Sequence, residues 1–346
     1  MKSANTVLGW PGWKVILLRP DSGAWIMLWK KLGRIFDPTQ HTLANHCVEF
    51  AQSPQALVFD DFLRIYFSTR EKDPSGKYLS HISYVDMDKN LQKITRIADH
   101  TVIGLGGLGC FDEHGIFPMN VLRNKGRIFA YTCGWSRRVS VSVETSIGFA
   151  LSEDHGSTFQ KMGTGPILTA SPDEPFLVGD PFVQIYDDVF HMWYIYGTRW
   201  FHPPDAHSAE RIYKIGHATS PDGISWQKQG KQIIADRLNA DECQALPSVI
   251  HFDGKYHCFF CYREAVDFRK NRARSYKIGY AYSNDLDHWT RDDDQVGIGL
   301  SESGWDSEMM CYPHVFKCDD KIYLLYNGND FGKYGFGLAV LENGSS

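Results

Sequence analysis

The sequence predicts an all-β protein, a five-bladed β-propeller of four-stranded antiparallel blades. Two repeated patterns support this prediction. Five prolines stand 63 to 66 residues apart in a chain of 346 residues, and a phrase built on Ile-Gly recurs about 30 residues after three of them. A regular period of this length is typical of an array of similar units. The prolines are Pro54, Pro118, Pro181, Pro247 and Pro313.

Each proline opens the same local pattern, which predicts a β-hairpin. An apolar pair is followed by a short polar turn and then by an alternating, aromatic-rich segment. The turns read Asp-Asp, Lys-Gly, Asp-Asp, Asp-Gly and Asp-Asp, and these residues suit short hairpin loops. Because proline lacks a backbone N–H, we expect it at the start of a strand, where no ladder hydrogen bond is needed.

The Ile-Gly phrase predicts a second hairpin in each unit. It reads IGFALS, IGHATS and IGYAYS, and each copy leads through a polar turn to an aromatic residue. Residues 81–94 form a weaker counterpart in the first unit. Two hairpins per unit give the four strands of a blade. The aromatic residues are Phe159, Trp226 and Trp289.

The last unit lacks one strand, and the N-terminal region offers a match. Residues 29–35 resemble residues 226–233, so we expect a strand at about residues 25–36 to complete blade five. Such pairing closes the ring and covers edge strands, and the whole chain 1–346 is then a single domain. Two stacked β-sandwiches explain five in-phase repeats less well, and no segment has the sustained helical periodicity of an α/β fold.

Composition excludes several classes of function. The formal net charge of −5 disfavours a nucleic-acid binder. No apolar run is long enough for a membrane span, and residues 9–11 interrupt any signal peptide. The eight scattered cysteines are read as reduced thiols, which favours a cytoplasmic location. His46, His114 and His314 stand at unlike offsets from their prolines, so we expect neither a metal nor another cofactor.

Acidic residues stand just ahead of the prolines in all five units. Because the innermost strands of a propeller line its central channel, we expect these carboxyls to converge at one rim. A single acid before a strand is usually a solvated turn residue, but crowded carboxyls drive their pKa values apart. That suits cleavage of a glycosidic bond, which needs one carboxylic acid and one carboxylate. The acids are Glu49, Asp112, Glu113, Asp180, Glu242, Asp306 and Glu308.

A second set of side chains follows the first hairpin of each unit. Aromatic faces stack on sugar rings, and arginine binds carboxylate or phosphate. Neutralisation of the rim acids explains the arginines equally well, and both roles stay open. The set is Arg70, Trp135, Arg199, Trp200, Arg263, Glu264, Asn327 and Asp330.

These motifs resemble the five-bladed propeller glycoside hydrolases, the β-fructosidase and arabinanase-type superfamily (families 32, 43 and 68). The likeness covers essentially the whole chain. It is closer still to an uncharacterised, hydrolase-like branch that accompanies bacterial surface-polysaccharide genes. The phrases that carry it are residues 179–183, 241–243, 109–115, 304–307 and 326–329.

The resemblance implies a carbohydrate-active enzyme, a glycoside hydrolase or transglycosidase with a carboxylate triad. Its substrate would be a small molecule or an oligosaccharide, a nucleotide-linked sugar being one option. Asp180 matches the transition-state stabiliser, Glu242 the acid and Asp112 the base or nucleophile. The residues expected to contact substrate are Glu49, Arg70, Glu113, His114, Trp135, Arg199, Arg263, Asp306, Glu308 and Asn327.

The first unit departs from the family pattern. Ser53 precedes Pro54 where the family has an aspartate, so the triad is either shifted by one blade or has lost its usual chemistry. Two alternatives follow. One is a non-catalytic sugar-binding propeller. The other is an inverting glycoside phosphorylase in which Arg199 or Arg263 holds phosphate.

Overall fold

The computed structural model describes residues 27–204 and 208–342, which contain twenty β-strands. Residues 1–26, which bear the prediction about an export signal and the first two positions of the predicted strand 25–36, lie outside the described residues. The strands are β1 (Trp29–Phe36), β2 (Glu49–Val58), β3 (Phe62–Lys72), β4 (Tyr78–Asp88), β5 (Ile94–Ile97), β6 (Gly115–Asn124), β7 (Arg127–Arg137), β8 (Val143–Ser152), β9 (Gln160–Lys161), β10 (Val178–Tyr186), β11 (Val189–Phe201), β12 (Glu210–Ser220), β13 (Gln227–Lys228), β14 (Cys243–Phe252), β15 (Lys255–Arg263), β16 (Lys277–Ser283), β17 (Trp289–Arg291), β18 (Cys311–Cys318), β19 (Lys321–Asn327) and β20 (Phe336–Leu341). Short helical turns occupy Pro38–Gln40, Arg272–Arg274, Asp293–Gln295 and Asn329–Gly332.

The strands form antiparallel units of four. Three sheets have the orders β10-β11-β12-β13, β14-β15-β16-β17 and β1-β20-β19-β18. A fourth sheet has eight strands, and its two halves, β2 to β5 and β6 to β9, are joined by one parallel pair between Ser80 and Gly115. The predicted all-β fold built of four-stranded sheets is therefore confirmed. The count of five blades and the closure of the ring stay predictions.

The strand β1 belongs to the same sheet as the last three strands of the chain. It runs antiparallel to β20, with Trp29 opposite Leu341 and Phe36 opposite Phe336. A salt bridge of 2.6 Å from Lys31 to the buried Asp306 adds a second tie between these distant segments. Residues about 300 positions apart along the sequence are thus neighbours in space.

The repeated prolines lie inside strands, which corrects the expectation that they begin them. In β2, β6, β10, β14 and β18 the register shifts at the proline, as in a β-bulge. A bulge leaves a residue unpaired, so the missing N–H of proline costs no ladder hydrogen bond there. The preceding residues Ser53, Asp180, Leu246 and Tyr312 have φ between +50° and +57°, and Phe117 precedes Pro118 through a cis peptide bond.

Large aromatic side chains fill the space between the sheets. Tyr66, Trp193, Tyr194 and Tyr326 are completely buried, and Tyr262 is nearly so. Each such side chain contributes about 1.5–3 kcal/mol through burial of apolar surface. No helix within residues 27–204 and 208–342 has the length and hydropathy needed to cross a membrane.

Candidate active site

The five bulges surround a cavity of about 530 Å³. The side chains just before four of the prolines line it, namely Phe117, Asp180, Leu246 and Tyr312. In the first unit Gln52, beside Ser53, takes the corresponding place. A positive φ at non-glycine residues is uncommon and often marks a functional site, and here it recurs at the wall of one cavity.

The third strand of four units, or the residue just before it, supplies a second group of wall residues. Ser80, Thr145, Tyr213 and Tyr276 all line the cavity. Each stands two positions before the repeated Ile-Gly phrase, or before its counterpart Ile82-Ser83 in the first unit. The two repeats that predict the fold therefore also position the wall of the cavity.

Asp180 is the one carboxyl in the described wall of this cavity. Its side chain is 6% exposed, and the backbone N–H of Leu246 donates to Oδ2 over 3.3 Å. Burial raises the pKa of Asp180 to about 7, because desolvation outweighs the Leu246 hydrogen bond and the charge of Arg211. At neutral pH this carboxyl can therefore hold and release a proton.

Three arginines also line the cavity. Arg269 pairs with Glu210 at 3.0 Å, but Arg70 and Arg211 have no carboxylate within salt-bridge distance among the described residues. Arg70 bonds to Gln52 and Ser68, and burial lowers its pKa to about 10, so it stays charged at neutral pH. The described wall thus carries more positive than negative charge, as suits an anion.

Arg263 stands behind the cavity wall and is 2% exposed. It donates from Nη2 to the hydroxyl of Tyr213 over 2.9 Å, and that hydroxyl lies 2.7 Å from the hydroxyl of Tyr276. The guanidinium stacks on Phe268, with its carbon 3.5 Å from the ring centroid. Burial raises the pKa values of both tyrosines, so both phenols keep their protons.

Three of the predicted site residues line the cavity, and three more touch its wall. Arg70, Trp135 and Asp180 belong to the wall. His114 stacks on Trp135 with the ring centroids 5.8 Å apart. Glu49 accepts a hydrogen bond from the wall residue Tyr78, and Arg263 contacts Tyr213. These six are the predicted positions that the structure gathers at one place.

Asp112 and Glu242 do not line the cavity, so the structure does not bring the predicted carboxylate triad together. Asp112 is 1% exposed and forms an ion pair with Lys161. Glu242 is fully buried and pairs with Arg291 at 2.5 Å. It also accepts hydrogen bonds from the backbone N–H groups of residues 237 and 238. Each carboxylate is thus buried and paired with a cation away from the described wall.

The remaining predicted contacts also have structural or surface roles. Arg199 forms an exposed pair with Asp241 at 2.6 Å. Asp306 is buried against Lys31. Asn327 is fully buried and bonds three backbone groups across the sheets. Glu113 accepts from the N–H of residue 109, and Glu308 is exposed, so neither faces the described cavity.

The predicted glutamates and the residues of the cavity wall stand at different distances from the same prolines. The conspicuous glutamates stand five residues before their prolines, whereas the wall residues stand directly before them. Four residues span about 13 Å of extended chain, which is enough to leave the cavity. Arg211, Tyr213, Tyr276 and Tyr312 were missed, although the Tyr-Lys-Ile-Gly phrase occurs twice, at 213–216 and 276–279.

A metal site finds no support among the described residues. No group of three or more His, Cys, Asp or Glu side chains is arranged within residues 27–204 and 208–342 to hold an ion.

Comparison with solved structures defines the class of the fold. A structure described as a glycoside hydrolase superposes with a TM-score of 0.70 at 18% identity, covering 91% of this chain and 92% of its own. The β-1,2-mannobiose phosphorylase from Listeria innocua gives 0.65 at 10% identity, covering 91% and 96%. An endo-arabinase from Bacteroides thetaiotaomicron gives 0.58 at 13%, covering 91% and 99%. The chain shares the fold of these solved structures, as its resemblance to the glycoside hydrolases implied.

Two relatives define the family more narrowly. The uncharacterized proteins MT1551 and Rv1502 of Mycobacterium tuberculosis are each 32% identical to the chain over 323 residues, which is 92% of this chain and 100% of each relative. The chain belongs to the family of these two proteins. No protein-family model matches it.

Proposed function

We propose that the protein is a carbohydrate-active enzyme that cleaves or transfers a glycosyl unit, with Asp180 as the general acid. The observation that carries the proposal is a single buried carboxyl in a cavity walled by aromatic side chains. A pKa of about 7 leaves Asp180 protonated often enough at neutral pH to donate to a leaving oxygen. The aromatic wall, with Trp135 and Phe117, suits the apolar faces of a sugar.

The attacking group is proposed to come from solution. A two-carboxylate mechanism needs a second acid beside the scissile bond, and no other carboxyl lines the described wall. Arg70 and Arg211 favour inorganic phosphate over water as the nucleophile, because both cations lack a carboxylate partner there. A phosphate oxygen attacks the anomeric carbon, the glycosidic C–O bond breaks, and the proton of Asp180 passes to the leaving oxygen. The products are a sugar 1-phosphate and an alcohol.

The descriptions of two structurally similar proteins mention glycoside phosphorylases. One is named as a β-1,2-mannobiose phosphorylase, and another is described as a glycoside hydrolase within a group of mannoside phosphorylases. The architecture proposed with this function is a ring of five blades. The eight-stranded sheet would supply two blades, and β1 would complete the fifth.

The test is an activity screen on glycosides and nucleotide-linked sugars, run with and without inorganic phosphate. We expect cleavage by the wild type to depend on phosphate and to fall by about 10²-fold or more in Asp180→Asn. Arg199→Ala, at an exposed pair outside the cavity, is the matched control. Cleavage that Asp180→Asn retains would refute the assignment of Asp180 as the general acid. Cleavage that does not depend on phosphate would mean that water is the nucleophile and that the reaction is hydrolysis. Sugar binding without turnover would favour a non-catalytic propeller.

A further inference from the structure

The tyrosine pair in the cavity wall has one proton more than its mutual contact uses. Tyr213 and Tyr276 carry two phenolic protons, and a single O···O contact of 2.7 Å joins them. One proton lies in that contact whichever phenol donates it. Apart from contacts with the guanidinium of Arg263, which donates to Tyr213 and also interacts with Tyr276, no other hydrogen bond to either hydroxyl occurs among the described residues. The second proton is therefore left for a group inside the cavity, which both tyrosines line.

Arg263 strengthens the phenol that donates the second proton. Its guanidinium is buried, donates to Tyr213 and has no carboxylate partner among the described residues. An arginine cannot accept a hydrogen bond, so the oxygen of Tyr213 must accept from it. Accepting from a cation makes a phenol a stronger donor in turn, and hydrogen-bond chains strengthen one another in this way. If Tyr213 donates to Tyr276, the free proton is on Tyr276, and if Tyr276 donates, it is on Tyr213, which accepts from the guanidinium directly.

We infer that the Tyr213–Tyr276 pair donates a charge-assisted hydrogen bond to an anionic oxygen of the ligand, and that Arg263 is the positioning residue behind it. The inference deepens the proposed function, since it assigns the phosphate oxygen in that reaction to these hydroxyls. Arg263 is not itself in the described wall, so it acts through the phenols and not by contact.

The charges around the pair agree with an anionic oxygen. Arg70 and Arg211 line the same cavity without carboxylate partners among the described residues, and Arg263 adds a third such cation just behind it. A buried cation without a counter-ion is costly, and a bound phosphate would supply the missing charge. A neutral sugar hydroxyl would accept the phenolic proton but would leave these cations uncompensated.

The experiment is a calorimetric titration with inorganic phosphate, with sulfate as a second probe. The variants are Tyr213→Phe, Tyr276→Phe, the double variant, Arg263→Lys and Arg263→Met. Tyr334→Phe, at an exposed tyrosine outside the cavity, is the matched control for loss of a hydroxyl. Each protein is also titrated with a neutral monosaccharide, because a structural defect would weaken both ligands, whereas the inferred role weakens only the anion.

We expect at least one single phenylalanine variant and the double variant to bind phosphate about tenfold more weakly, which is the loss of one hydrogen bond to a charged group. Arg263→Met should show the same loss, and Arg263→Lys should regain part of it because lysine keeps a charged donor. A folded double variant that binds phosphate within twofold of the wild type would overturn the inference, as would a wild type that binds neither phosphate nor sulfate. Should Arg263→Met fail to fold, the tyrosine variants decide the question alone.

The outcome separates this inference from the proposed function. Asp180→Asn should still bind phosphate, because it removes the acid and leaves the phenols and arginines in place. Phosphate binding that depends on the tyrosine pair, in a protein that cleaves no glycoside, would contradict the proposed reaction and support the anion site. Phosphate-dependent cleavage that is unaffected in the double variant would support the proposed reaction and contradict the anion site at the tyrosine pair.

Discussion

The replacement of Asp180 by asparagine should change how the stability of the protein depends on pH. Burial moves the pKa of this carboxyl from an ordinary 3.8 to about 7. Each pKa unit corresponds to about 1.4 kcal/mol, so ionised Asp180 weakens the folded state by about 4 kcal/mol. That is a large part of the roughly 5–15 kcal/mol by which native domains are stable.

The sign follows from proton binding. Between about pH 3.8 and 7 the folded chain keeps the proton on Asp180, whereas the unfolded chain has released it. The contribution of Asp180 to the free energy of unfolding is therefore fully present below pH 3.8 and is lost as the pH rises through about 7. Asp180→Asn removes the titration, so the variant should gain up to about 4 kcal/mol over the wild type near pH 8 and almost nothing near pH 4.

Urea unfolding followed by tryptophan fluorescence at several pH values measures this difference. Asp61→Asn, on the exposed turn between β2 and β3, is the matched control and should follow the wild type at every pH. An Asp180→Asn variant whose unfolding free energy differs from the wild type by the same amount at pH 4 and pH 8 would refute the reasoning. It would mean that burial does not hold this carboxyl in its neutral form.

Further predictions concern activity and the buried ion pairs. The kcat/KM of the wild type should fall as the pH rises through about 7, since Asp180 must be protonated to act; a flat profile there would contradict that role. Glu242→Gln should lower the unfolding free energy by about 2 kcal/mol, because it weakens the ion pair with the buried Arg291. Loss of activity at unchanged stability would instead indicate that Glu242 is catalytic. Lys161→Met should destabilise by about 3 kcal/mol, because it leaves the carboxylate of Asp112 buried and unpaired; a cost below about 1 kcal/mol in the same urea assay would refute this. Arg199→Ala should cost less than about 1 kcal/mol and leave sugar affinity unchanged, as calorimetry can check.

The fold could be predicted because its determinants repeat in the sequence. The spacing of the prolines and of the Ile-Gly phrase reports a repeated hairpin, and hairpins are local structures whose pairing is set by their own turns. The bulge at each proline was not foreseen. Ordinary strands avoid proline, which favours a strand start for Pro181, and the bulge that accepts it is visible only in the pairing register.

The site was harder to predict because carboxyl groups look alike in sequence. Glu242 and Asp180 both precede a repeated proline, yet Glu242 is neutralised by an arginine 49 residues away and Asp180 is not. Which acid has a charge partner depends on contacts between strands of different hairpins, and no local pattern reports these. Tyr213 and Tyr276 could have been found, since they occupy one position of a visible repeat.

The pairing of β1 with β20 has a consequence for the order of folding. Because the two strands are separated by about 300 positions, the β1–β20 pair cannot form until β20 has left the ribosome. The hairpins of the other sheets need only neighbouring residues and can form earlier. Until β1 docks, β20 presents an unpaired edge on which other chains can assemble. Docking of β1 is thus a late step that covers an exposed strand edge.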